Sequence, residues 1–81
     1  MSEMLKLKGA LSEKRLKRRQ LILEADTHIK HIRDIFADSV YMPVTEIDAE
    51  GAHLLAGKIL NLQKKIKELD EEIRKINKEL E

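Results

Sequence analysis

Nine apolar residues in the second half of the chain follow one another at alternating spacings of three and four. They are Ala52, Leu55, Ile59, Leu62, Ile66, Leu69, Ile73, Ile76 and Leu80. Residues three and four apart share one face of an α-helix, and a strict alternation keeps that face a narrow, straight stripe. In water such a stripe is stable only against another helix. The pattern commits residues from about 48 to about 80 to one long helix with a helical partner. Its start is marked by PVTEID (43–48). Pro43 cannot continue a preceding helix, and Thr45 with Asp48 three residues later resembles a capping box with Asp in place of Glu. Asp48 itself is the alternative cap.

The partner lies in the first half. Leu21, Ile22, Ala25, His28, Ile29, Ile32, Ile35 and Phe36 form a helical face two stripes wide, broader than a two-helix contact needs. Met4, Leu7 and Leu11 continue it upstream, while Lys14 and Arg18 occupy positions where apolar residues belong. Gly9 weakens the first turns, which are expected to fray. Two long helices around a short Pro-containing turn make an antiparallel hairpin. With the turn centred near Pro43, facing residues have numbers that sum to roughly 86 or 87. Ile32 then meets Leu55, Ala25 meets Leu62, and Leu21 meets Ile66. Lys14 falls near Glu72 and Arg18 near Asp70, so both misplaced cations have carboxylates within reach while their stems cover the seam.

The fold class is therefore all-α: an antiparallel two-helix hairpin with coiled-coil-like pairing. One domain spans residues 1–81, with the first helix at about 3–38, a turn at about 39–47 and the second helix at about 48–80. The hairpin does not use all the apolar surface. Leu54 and Leu60 lie on opposite sides of the second seam, and Gly57 leaves room for close approach. A helix apolar nearly all round requires further neighbours. Self-association through Ile29, Ile32, Phe36, Leu54, Leu55, Ile59 and Leu60 is expected, giving a homodimeric four-helix bundle with antiparallel packing. The charged distal half would extend as a two-helix arm. A heterologous protein occupying the place of the second hairpin is the rival expectation.

Composition narrows the function classes. No cysteine is present, which removes disulfides, thiolate nucleophiles and sulfur-ligated zinc. The uncharged runs SVYMPVT (39–45) and GAHLLAG (51–57) are far too short for a membrane span or a signal segment. A cytoplasmic protein with no membrane contact is expected. The 16 basic and 15 acidic side chains nearly cancel, yet residues 1–20 carry seven basic and two acidic groups. That excess is concentrated in KRLKRR, where Lys14, Arg15, Lys17, Arg18 and Arg19 form a basic patch able to track a phosphate backbone or an acidic protein. No aromatic residue lies near it for base stacking, and the net charge is only +1. Nucleic acid is thus a possible but not the favoured partner; a solvated flank is the plainer reading. Leu5, Leu16 and Leu23 form a thin row on the back of the same helix.

The window EADTHIKHIRDIF (24–36) places Glu24, His28 and His31 at helical spacing, as metal ligands or an acid–base pair are placed. The order is not the Glu-x-x-His of di-iron bundles, and the residue facing His28 across the hairpin is near Ile59. These three remain weak metal candidates that need a symmetry mate. The plainer reading makes His28 a core-edge residue bonded to a neighbour and able to make assembly pH-sensitive. No nucleophile–His–acid spacing and no Gly-rich phosphate loop occurs, so no catalytic residue, cofactor or small-molecule substrate is expected. A bundle-lining enzyme site would have to draw on Arg15, Arg18 and Arg33. In the turn, Val40, Tyr41, Met42, Pro43, Val44 and Ile47 are expected to seal the end of the core; an exposed adhesive tip is the alternative. The functional expectation is a non-enzymatic assembly or adaptor module that presents helix surfaces to another protein.

Overall fold

The computed structural model describes residues 2–81. Helix α1 (Glu3–Ala37) and helix α2 (Ala49–Leu80) are joined by two single 3-10 turns, Asp38–Val40 and Val44–Glu46, and no strand occurs among the described residues. At 1.5 Å per residue each helix is about 50 Å long, and the hairpin measures 63 × 16 × 14 Å. Helix α1 begins where Ser2 caps it, the hydroxyl accepting from the Leu5 amide at 3.3 Å. It runs unbroken through Gly9. It ends where the Ser39 hydroxyl donates to the Phe36 carbonyl at 2.6 Å, satisfying one of the carbonyls a helix end leaves free.

Helix α2 is capped by Asp48, whose Oδ1 accepts from the Gly51 amide at 2.9 Å. Of the two expected caps this is the one that forms. Thr45 sits within the second 3-10 turn, and Ile47 is extended between that turn and the helix, so Thr45 is outside capping position. A Cβ at Gly51 would lie 2.1 Å from Asp48 Oδ2, so a larger residue there would make the Asp48 carboxylate turn aside.

The register agrees with the sequence. Lys14 Nζ lies 2.8 Å from Glu72 Oε2, and Arg18 Nε lies 2.5 Å from Asp70 Oδ1. Leu21, Ala25 and Leu62 form the core cluster, with Ile66 and Leu69 packed against it. Along α1 the residues turned toward α2 are Leu7, Leu11, Lys14, Arg18, Leu21, Ala25, His28, Ile32 and Ile35, all buried or half-buried. Their spacing alternates four and three, so the seam of α1 is as narrow as that of α2. The second stripe of the wide face is left outside it.

The core is thin. No side chain among the described residues is completely buried, and the deepest, Leu62, keeps 5 % of its surface. The chain exposes 6596 Å², whereas a compact monomer of this mass exposes about 5,000 Å². The turn does not seal the end of the core as expected. Met42 and Ile47 are half-buried, but Tyr41 and Val44 stand 89 % and 84 % exposed, with Val40 close behind. Two successive 3-10 turns and Pro43 carry these residues past the last seam layer, Ile35 and Ala52, where nothing remains for them to cover.

Candidate functional site

A two-helix seam has two flanks, and here they differ in chemistry. On one side α1 presents Arg15, Ile22, Ile29 and Phe36, one heptad apart, beside Ala56, Gln63 and Asp70 of α2. On the other, α1 presents Lys17, Glu24, His31 and Asp38 beside Lys58, Lys65 and Glu72. The two interhelical ion pairs assign the sides, since Arg18 leans toward Asp70 and Lys14 toward Glu72.

The first flank is apolar in the half nearest the turn. Ile29 and Phe36 are 41 % and 47 % exposed, and Leu60, in the next row of α2 on the same side, is 51 % exposed. Farther from the turn this flank becomes a cleft of about 440 Å³ with Ile22, Leu23 and Ile73 among its walls and Arg15, Arg18, Arg19 and Asp70 around them. Three guanidinium groups beside one carboxylate make it an anion-attracting surface with apolar walls.

The second flank is charged. Its cleft, about 310 Å³, is lined by Glu24, His28, Lys58, Asn61, Leu62 and Lys65. His28 is half-buried at its edge and His31 is exposed. The hydrogen bond expected of His28 to a neighbour is not formed among the described residues; its ring lies beside a cleft open to solvent, which leaves it no need of a protein partner. No three His, Cys, Asp or Glu side chains converge to hold a metal ion among the described residues. Glu24, His28 and His31 therefore do not form a three-ligand set within one chain, and the ammonium groups of Lys58 and Lys65 in the same cleft oppose a cation there.

The residues singled out for self-association divide three ways. Leu55 is buried and Ile32 and Ile59 are half-buried in the hairpin's own seam. Ile29, Phe36 and Leu60 are exposed together on the apolar flank. Leu54, 63 % exposed, lies on the outer face of α2 toward the charged flank, away from Leu60. Of the basic patch, Lys14 and Arg18 are engaged in ion pairs, whereas Arg15, Lys17 and Arg19 are exposed. Arg33 lies about 20 Å along α1 from Arg18, so Arg15, Arg18 and Arg33 do not converge on one point. The sequence reading missed Ile22 as a wall of the arginine cleft. The spacing of Arg15 and Ile22, one heptad apart and flanking the same seam position, was the available signal.

No helix among the described residues is long and apolar enough to cross a membrane. Compared with family models, curated proteins and solved structures, the chain matches none.

Proposed function

We propose that this chain is a cytoplasmic, non-enzymatic assembly module whose hairpin, paired as a coiled coil, associates with a second copy to form a four-helix bundle and offers the remaining helix surface to another protein. The observation that carries this reading is the apolar flank. Ile29, Phe36 and Leu60 stand half exposed on the same flank, and completing their burial stabilises by roughly half of about 1.5–3 kcal/mol each. The surface in excess of a compact monomer also surpasses the roughly 800 Å² that one partner gives to a standard interface. Light scattering at micromolar concentration is expected to return twice the monomer mass of 9.4 kDa. A strictly monomeric mass up to about 100 μM would sink the reading, and affinity capture from the native host would then identify the protein that takes the place of the second copy.

A second reading follows from the arginine cleft. Arg15 and Arg19 stand exposed on the same side of α1, a cationic edge suited to a nucleic-acid backbone. Binding of a DNA duplex should then weaken steeply with salt, at a slope near −0.9 per phosphate contacted, and vanish in Arg15→Glu with Arg19→Glu. Binding that ignores salt, or its absence at low salt, removes this reading.

A further inference from the structure

The row of α1 beyond the apolar stripe carries Arg19, Asp26 and Arg33 at heptad intervals, so its charge alternates along the helix. A second copy can cover the apolar flank about a two-fold axis in two ways. With the axis along the hairpin, both turns point the same way and α1 lies over the partner subunit's α2. The hairpin register then sets Arg19 beside the partner's Lys67 and Arg33 beside the partner's His53, a cation against a cation in the first case. With the axis across the hairpin, α1 lies over α1 in the opposite direction. Centring that contact on Ile29, the midpoint of the apolar stripe, brings Ile22 level with the partner's Phe36. It also brings Asp26 within about 1.5 Å of level with the partner's Arg33, twice by symmetry.

The same placement engages the arginine cleft. Arg19 and Arg15 lie about 15 and 21 Å along α1 from Ile29, and the turn begins at about the same distance on the other side. Each cleft is therefore level with the other copy's turn. Residues 14–19 hold five cations and no carboxylate, whereas the turn, residues 38–48, holds three carboxylates and no Lys or Arg. The turn's exposed Tyr41 and Val44 also match the apolar walls of the cleft, and an aromatic ring over a guanidinium adds a favourable contact.

We infer that two copies pair antiparallel, α1 against α1, with the two-fold axis at Ile29, so that Asp26 pairs with Arg33 of the partner subunit and the Arg15–Arg19 cleft receives the partner subunit's acidic turn. The inference rests on the self-association reading and adds orientation, register and an occupant for the basic patch. The alternating charges choose between two packings that bury the same apolar side chains.

Sedimentation equilibrium of the full chain and three variants tests it. Asp26→Arg and Arg33→Asp should each weaken the dimer roughly tenfold, because each turns two attractions into two repulsions. The double variant, Asp26→Arg with Arg33→Asp, should return to within about threefold of the parent, since the pairs re-form with charges exchanged. Net charge is the same in parent and double variant, so rescue reports the pairing and not overall repulsion. Circular dichroism at the same concentrations checks that helix content is unchanged. Because the chain lacks cysteine, donor and acceptor dyes on Lys78→Cys give an independent reading. Antiparallel pairing puts the two labels about 60 Å or more apart, and the parallel alternative about 30 Å. A dimer with the short separation, or with single swaps that neither weaken it nor are rescued together, overturns this pairing and leaves self-association standing. A parent chain that remains monomeric at about 100 μM overturns both.

Discussion

The two flanks of this hairpin are built from the same helices at the same heptad interval, yet they carry opposite instructions. One sets Ile22, Ile29 and Phe36 beside Ala56 and Leu60; the other sets Glu24 and His31 beside Lys58 and Lys65. Both border the same seam, so the difference is not required for the hairpin to form. A hairpin serving only its own stability would gain from charged residues on both sides, since exposed apolar side chains add nothing until they are covered. The contrast teaches that residues 22–36 answer to two demands. One stripe faces α2, and the next faces outward.

The sharpest way to break the contrast is to remove the apolar side. Phe36→Ser with Leu60→Ser should weaken self-association at least about 100-fold, whereas Lys58→Ser with Lys65→Ser should change it less than about threefold. Sedimentation at fixed salt checks both, and equal losses would show the flanks to be interchangeable. Next in size is a change to the seam itself. Lys14→Leu with Arg18→Leu should raise resistance to urea by about 1–2 kcal/mol, because half-exposed ion pairs contribute little and leucines would complete the stripe. No gain would mean that the aliphatic stems already cover the seam. On the apolar flank's basic end, Arg15→Glu with Arg19→Glu should weaken the dimer about tenfold and flatten its salt dependence. An unchanged salt dependence would uncouple the arginine cleft from the apolar stripe beside it. The smallest effect belongs to the outer face. A Cβ at Gly57 meets nothing within 4 Å, so Gly57→Ala should stabilise the helix by about 0.4–1 kcal/mol and leave association unchanged. A loss of association would move the contact from the flank to the outer face.

Much of this architecture is legible in the sequence because helix pairing is written as spacing. The nine-residue stripe of α2 and a turn at Pro43 place Arg18 near Asp70 and Lys14 near Glu72, and the structure joins both pairs. What spacing left open was which stripe of α1 faces inward. Ile22, Ile29 and Phe36 are as apolar as Leu21, Ile32 and Ile35, while the true seam admits Lys14, Arg18 and His28. Hydrophobicity therefore points between the stripes, and only the register decides. The turn failed for another reason. Val40, Tyr41 and Val44 prefer burial, but preference creates no core beyond the ends of the two helices. The arginine cleft was half visible: its charges stood out, whereas Ile22 and Ile73 as its walls depend on the lean of Arg18 toward Asp70.

The Asp48 cap and the short turn also fix an order of events in time. Contacts nearest the turn close the smallest loop, so Ile35 with Ala52 forms at the least entropic cost and each later layer adds only a short extension. The chain should zip from the turn outward and open from the far end inward. Amide hydrogen exchange is expected to slow progressively from Leu7 and Leu80 toward Leu21 and Leu62, and protection that is uniform along both helices would show opening to be all-or-none. Lys14 and Arg18 sit about two-thirds of the way along that path, where two ion pairs bridge the helices in place of apolar contact. They mark the point at which the distal arm can part while the half nearest the turn stays closed.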